Sequence, residues 1–324
     1  MKDHTEFEIV GKSPAFVEVI SRIPQIAQSN SSVLIVGDTG TGKEVIAQRI
    51  HRLSPRKHCP FVPVNCGAIP REIAENELFG HRGGAFTGAI GFKSGLIAES
   101  EGGTLFLDEI DSLLPVVQVK LLRLLEEKTY RPLGDTHELQ ADMRVIAALN
   151  RDPDEVVKSG RLRLDLYYRL DVFRLNLPAL CERVEDIPLL ASHFLRRLSC
   201  AMGKEIKGFS QAAIDKLTAH DWPGNVRELE NAIERAVIFC DSEIIQDWHI
   251  VLDNFQMEKT LASFQETKSR LVRQFEIEYI EKLLLAYGGN VTKAAAAAKK
   301  DPRAFRWLIK KYGIDVSRFN TRNT

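Results

Sequence analysis

The chain reads as an α/β protein in which a parallel sheet is sandwiched by helices, with a smaller all-α unit behind it and further helices at the end. Three observations predict this. Short apolar runs alternate with helix-like stretches through the first half of the chain. Those runs are near-continuous and rich in β-branched residues, as strands buried on both faces are. After about Pro178 the strand-like runs stop, and apolar residues fall at helical spacing instead.

The expected strands are SVLIV at 32–36, FVPVN at 61–65, TLFLD at 104–108 and MRVIAAL at 143–149. Helical spacing then covers 186–202, 210–220 and 224–240, and residues 253–274 turn polar, which reads as a partly helical linker. The last segment holds a helix near 275–287 and two more at 290–299 and 302–312. Asp301 before Pro302 is a start signal, because Asp caps the first free amides and proline lacks an N–H that would be unpaired there anyway. The alanine run at 294–298 is good helix former rather than disorder.

Lys+Arg and Asp+Glu both number 44 in 324 residues, so no global field draws the molecule to nucleic acid or anionic membrane. From Asn290 onward, however, nine basic residues stand against Asp301 and Asp315, which makes the end of the chain a local basic patch. The five cysteines are scattered with no C-x-x-C pair, and they read as reduced thiols in a cytosol. The opening MKDHTEFEIVGKS has charges where a signal peptide needs an apolar core, and no later run approaches a membrane span. A cytoplasmic location is expected.

GDTGTGKE follows the first strand and opens the helical pattern VIAQRIHRL. Strand, glycine-rich turn and helix is the context of a phosphate-binding loop, where backbone amides converge on phosphate oxygens and the helix N-terminus adds positive potential. Gly37, Asp38, Thr39, Gly40, Thr41, Gly42, Lys43 and Glu44 are the candidate nucleotide contacts, with Lys43 reaching the β- and γ-phosphates. Glu44 stands where a magnesium-binding Ser or Thr is usual, and the segment alone also fits a glycine-rich turn with a surface lysine. TLFLDE at 104–109 strengthens the phosphate reading. Asp108 at that strand end can hold magnesium, and Glu109 can orient and polarise an attacking water.

Between these motifs lies ELFGHRGGAFTGA at 77–89, and here the chain resembles the bacterial enhancer-binding proteins, the sigma-54-dependent AAA+ activators. The resemblance runs from IVGKSPAF at 9–16 to the terminal helices. It implies an AAA+ P-loop ATPase core at 1–178 with an inserted GAFTGA loop, an α-helical lid at 179–252, a linker at 253–274 and a Fis-like helix-turn-helix at 275–324. Gly84, Ala85, Phe86, Thr87, Gly88 and Ala89 would tip the loop that touches sigma-54. In this family glutamate is the ordinary occupant of the Glu44 position.

Further roles follow from the resemblance alone. Ile9 and Val10 would lie at the nucleotide, Asn65 would couple Glu109 to the remodelling loop, and Asn150 would sense the γ-phosphate. Arg163 and Arg169, within GRLRLDLYYRLDVFRLNLPAL at 160–180, would reach a neighbouring subunit's γ-phosphate, and Arg227 of WPGNVREL the nucleotide of its own. GGNVTKAA at 288–295 and LIKKYGI at 308–314 carry the helix-turn-helix match, with Arg303 and Arg306 toward the major groove and Lys310 and Lys311 nearer phosphate. An amphipathic hairpin that packs or dimerises is the alternative for that segment. Leu149, Cys181, Lys299 and Lys300 depart from the family pattern at positions where threonine, arginine and a glycine-containing turn are usual.

The expected activity is hydrolysis of ATP, with Mg2+, in a ring that is a hexamer, driving sigma-54 RNA polymerase holoenzyme toward open-complex formation from enhancer DNA. Little of this sequence precedes Ile9, which leaves two expectations open: a chain shortened from a longer one, or control from elsewhere, through an inhibitory regulator acting in trans or through expression level. Two other readings stay open at this stage. One is a DNA-binding regulator that uses nucleotide only to control assembly, and the other is a AAA+ remodeller of a different target.

Overall fold

The computed structural model describes residues 9–85, 91–252, 276, 279–280 and 282–312. The chain divides into two compact units, Met1–Asp253 and Asn254–Thr324.

The first unit is built on a five-stranded, wholly parallel sheet in the order β2-β3-β6-β1-β7. Its strands are β1 (Val33–Val36), β2 (Phe61–Asn65), β3 (Thr104–Asp108), β6 (Arg144–Leu149) and β7 (Phe173–Asn176), and a small antiparallel pair, β4 (Thr129–Tyr130) with β5 (Leu139–Gln140), lies outside it. Successive side chains of a strand point to opposite faces, and the core divides accordingly. Leu34, Leu105, Leu107, Val145 and Ala147 enter one apolar cluster, while Ile35, Phe106, Ile146 and Ala148 enter the other. Helices α1 (Pro14–Ala27) and α2 (Lys43–Leu53) cover the second face. Helices α3 (Ala74–Phe79), α4 (Leu96–Glu99), α5 (Pro115–Glu127), α6 (Pro153–Lys158) and α7 (Leu164–Leu170) supply the first.

All four expected strands form. The sequence reading missed β7, because FRLN is an edge strand whose exposed Arg174 and Asn176 break the apolar run. Beyond Pro178 come α8 (Ile187–Met202), α9 (Gln211–Thr218) and α10 (Asn225–Phe239), packed around Phe194, Trp222 and Ile233. The expectation that strands stop there needs one correction. A two-residue parallel pair, β8 (Gly208–Phe209) with β9 (Ile244–Ile245), joins the segment between α8 and α9 to the segment after α10, and it is too short to leave a periodic signal.

In the second unit, helices Val291–Ala297 and Pro302–Tyr312 pack on Ile280 and Leu284 through Ala294, Ala295, Phe305, Leu308 and Ile309. Asn290 caps the first helix by accepting from the Lys293 amide at 3.1 Å, and Asp301 caps the second by accepting from Arg303 at 2.8 Å. Lys299 takes the left-handed conformation usually left to glycine (φ 51°), and its amide and that of Lys300 close the first helix on Ala296 and Ala295. The tight turn therefore survives with lysines, at a cost of about 1 kcal/mol for a non-glycine residue there.

Candidate nucleotide site and its couplings

The Lys43 loop leaves β1 at Gly37, whose amide donates to the Leu149 carbonyl at 3.2 Å. Gly42 precedes α2 in the left-handed region (φ 101°), with open space where a Cβ would stand and no side chain capping the helix. These features make an amide-lined, positively polarised cradle. Lys43 is nearly buried, and its ammonium donates to the Gly37 carbonyl at 2.8 Å and the Asp38 carbonyl at 3.1 Å. Burial lowers its pKa, against the opposing pull of Asp108, Glu109 and Asp38. A desolvated cation held by weak acceptors beside an open cradle fits a phosphate chain. Glu44 is exposed and accepts from Gln48 at 3.2 Å.

Asp108 and Glu109 stand at the end of β3, and Asn150 follows β6. The Asp108 carboxylate accepts from the Glu109 amide at 3.0 Å, and Asn150 Nδ2 donates to Glu109 Oε1 at 3.0 Å. Glu109 has a left-handed backbone (φ 53°), a strained conformation for a residue with a side chain. Asn65, the register partner of Asp108, accepts from the Ala68 amide at 3.0 Å, so the amide side chain that binds Glu109 here is Asn150. Gly67 was missed by the sequence reading. A Cβ on it would sit 2.2 Å from Glu109 Oε2, so the carboxylate occupies space only glycine leaves.

No group of three or more His, Cys, Asp and Glu gathers as a metal cage among the described residues. Asp108, at the carboxyl end of β3, is a carboxylate that could hold a cation together with substrate phosphates, as magnesium usually is held.

A cavity of about 520 Å³ opens beside the loop, lined by Ile9, Val10, Thr41, Glu44, Arg183 and Arg227 among others. Its walls come from three parts of the chain, and buried polar contacts hold them together. Asn225 Nδ2 donates to the Thr39 carbonyl at 3.0 Å while its Oδ1 accepts from the Leu180 amide at 2.8 Å. The Val226 amide donates to the Gly40 carbonyl at 3.0 Å, and Gly40 has no room for a Cβ, which would fall 2.3 Å from the Gly224 carbonyl oxygen.

Arg183 donates to the Thr41 carbonyl at 2.9 Å and lies 4.6 Å over the Phe16 ring. Asp186, fully buried, accepts from the Lys12 and Ser13 amides at 2.6 and 2.9 Å and from the Ser13 hydroxyl at 2.8 Å. Arg183, Asp186 and Asn225 were not singled out from sequence. Arg227 was, and it lines the cavity as an exposed side chain.

Arg163 precedes α7 as its N-cap residue and Arg169 lies in its last turn, both exposed. Arg163 pairs with Asp165 at 2.7 Å, and Arg169 donates to the Leu125 carbonyl at 3.2 Å. Leu164, Tyr168 and Val172, all more than half exposed, lie along the same stretch.

Of the GAFTGA residues, Gly84 and Ala85 are described, whereas Phe86, Thr87, Gly88 and Ala89 lie outside the described residues. The base of the insertion is clamped. His81 pairs with Lys93, Arg82 donates its amide to Leu133 at 2.9 Å, and the Arg82 guanidinium meets Asp135 at 2.5 Å. The His137 amide above all, with the His137 ring and Arg82, holds the Asp135 carboxyl down at about 2. Gly134 and Ala85 are also close, since a Cβ on Gly134 would lie 2.7 Å from that of Ala85.

Residues 9–176 match the sigma-54 interaction domain, and residues 181–267 match the AAA+ ATPase lid domain. The chain belongs to the sigma-54-dependent AAA+ activators. The transcriptional regulatory protein GlrR of Escherichia coli (strain K12) is 45% identical over 312 residues, covering 96% of this chain and 69% of that protein. The transcriptional regulatory protein ZraR of the same strain is 45% identical over 291 residues, covering 90% of this chain and 66% of that one. Among solved structures, NtrX from Brucella abortus in complex with ADP superposes with a TM-score of 0.70 at 31% identity, covering 95% of this chain and 70% of that one. As a member of this family the chain is an ATPase, using ATP with Mg2+, that activates sigma-54-dependent transcription. No helix among the described residues is long and apolar enough to cross a membrane.

Proposed function

We propose that the sigma-54-dependent activator works through the following residues. Residues 1–178 form the ATPase core, 179–252 the lid, 253–274 the linker and 275–324 the DNA-binding unit. ATP lies with its phosphates in the cradle of residues 37–44 and its base in the cavity beside Ile9 and Val10. Lys43 leaves the Gly37 and Asp38 carbonyls and meets the β- and γ-phosphates, a better partner for a desolvated ammonium. Glu109 accepts a hydrogen bond from the attacking water and holds it in line with the γ-phosphorus. Asn150, bonded to Glu109, sets where that carboxylate points. Asp108 is the residue that would hold magnesium, whose charge neutralises the phosphates when it is bound. Arg227 reaches the nucleotide from the lid.

In a hexameric ring, Arg163 and Arg169 exchange Asp165 and the Leu125 carbonyl for a neighbour's γ-phosphate, and the exposed Leu164, Tyr168 and Val172 support the contact. Asn65, at the sheet edge between Glu109 and the chain that leads to residues 84–89, relays the nucleotide state. Phe86 and Thr87 then engage or release sigma-54. Arg303, Arg306, Lys310 and Lys311 hold enhancer DNA, the site of action is the cytoplasm, and an inhibitory regulator acting in trans limits the activity.

The observation that carries this reading is the meeting of Lys43, Asp108, Glu109 and Asn150 at the carboxyl ends of adjacent strands. The test is binding of the purified chain to sigma-54 with ATP, with ADP, and with ADP plus aluminium fluoride, for wild type and Thr87→Ala. A complex formed with the transition-state mimic and lost in Thr87→Ala is expected. ATPase activity with no sigma-54 complex in any nucleotide state would overturn the loop assignment, and Lys43→Ala that still hydrolyses ATP would overturn the phosphate site.

A further inference from the structure

The exposed arc of helix Pro302–Tyr312 carries a feature that phosphate binding does not call for. Its buried residues are Phe305, Leu308 and Ile309. At about 100° per residue, the opposite side of the helix is an arc running from Arg306 through Lys310, Arg303 and Trp307 to Lys311. Trp307 lies close to the middle of that arc and is 60% exposed. Whatever this helix docks on meets the indole early. Lys311 Nζ lies 5.0 Å over its ring, which keeps the indole on this face.

The surroundings decide the partner. Arg303, Arg306, Lys310 and Lys311 rim the indole, and Lys293, Lys299 and Lys300 are exposed on the neighbouring helix and turn. Asp301, the acid of this stretch, is engaged in capping. A second copy of the same face would bring these cations together, whereas a duplex groove edged by phosphates neutralises them. Within the major groove the apolar feature is the thymine 5-methyl group.

We propose that Trp307 is a specificity-determining residue that packs on a thymine methyl, so that the protein selects thymine at a fixed position of its site. This rests on the reading of the terminal unit as DNA-binding.

The test uses the full chain. Binding sites are selected from a random duplex pool by wild type, Trp307→Ala and Trp307→Phe. The best wild-type duplex is then remade with each thymine replaced in turn by deoxyuridine, which lacks only the methyl, and affinities are measured by fluorescence anisotropy. Wild type should enrich a thymine at one fixed position of the site and lose about fourfold in affinity when that methyl is removed, the value of one buried methyl. Trp307→Ala should lose both the preference and the response to deoxyuridine, while Trp307→Phe keeps them in part. The salt dependence of binding, which counts phosphate contacts, should be the same in all three. Identical motifs from wild type and Trp307→Ala, or no response to deoxyuridine in wild type, would overturn the inference while leaving DNA binding intact. Loss of self-association in Trp307→Ala with an unchanged motif would also overturn it. A wild-type chain that binds duplex without enriching a motif overturns the inference alone, and one that binds no duplex fails the DNA-binding reading itself.

Discussion

Gly67→Ala probes the proposed water-positioning carboxylate, Glu109, from the side, and the structure sets the size of the effect. The added methyl would stand 2.2 Å from Glu109 Oε2 and 3.3 Å from Asn65 Oδ1. Non-bonded contact needs roughly 3.5 Å, so the Glu109 carboxylate must retreat by about 1 Å. Gly67 is exposed and does not occupy the left-handed region, so alanine fits its backbone. The obstructing atom is the end of a flexible side chain, which can swing away. Stability should therefore stay within about 0.5 kcal/mol of wild type.

Catalysis should not be spared. Moving Glu109 breaks its 3.0 Å bond from Asn150 and displaces the group proposed to position the water. A misplacement near 1 Å costs on the order of 100-fold in rate. The assay is steady-state ATP hydrolysis alongside urea unfolding. The expected result is a kcat lower by roughly that factor, with KM for ATP and the unfolding midpoint little changed. Combined with Glu109→Gln, the alanine should have almost no further effect, since the group it displaces is already disabled. A Gly67→Ala enzyme with kcat within twofold of wild type would refute the placement of Glu109 as the water-positioning group.

Asn225→Ala strands the buried Leu180 amide, at about 1–3 kcal/mol when left unpaired, and releases the carbonyl of exposed Thr39 to water. Lower stability in urea and a raised KM for ATP are expected together, and an unchanged KM would refute coupling of the lid to the phosphate loop through this residue. Because burial lowers the Lys43 pKa, its charge is lost as pH rises at a lower pH than for an ordinary lysine. ATP affinity measured by calorimetry should therefore fall at alkaline pH, and the fall should vanish in any Lys43→Arg variant that still binds, because arginine stays charged. Cys59, Cys181 and Cys200 are exposed while Cys66 and Cys240 are buried, and burial above all pushes the Cys66 thiol up to about 12. A thiol reagent at neutral pH should modify the three exposed cysteines quickly and reach Cys66 and Cys240 only on unfolding, as peptide mapping would show.

Much of the site was legible in the sequence because its parts are local. A phosphate loop needs glycines, a lysine and a following helix within a few residues, and Gly37 to Glu44 supply them in order. The acids Asp108 and Glu109 end a strand whose burial on both faces writes itself as a continuous apolar run. The same reasoning explains why β7 was missed, since an edge strand such as Phe173–Asn176 has polar residues on its exposed side.

Local pattern was enough to give the α/β class, the four strands of apolar composition, the glycine-rich loop after the first of them and the capped terminal helix. Each depends on contacts between near neighbours, or on burial shared by a whole segment. Folding is what brings Asn225 to Thr39 from 186 residues away, Arg183 to Thr41 from 142, and Asp186 to Lys12 from 174. Folding likewise sets Glu109 against Asn150, with Gly67 leaving the room for its carboxylate. A polar side chain carries no local mark of its distant partner, and a glycine carries no mark of what fills the space it leaves. Those couplings exist only once the chain has closed on itself.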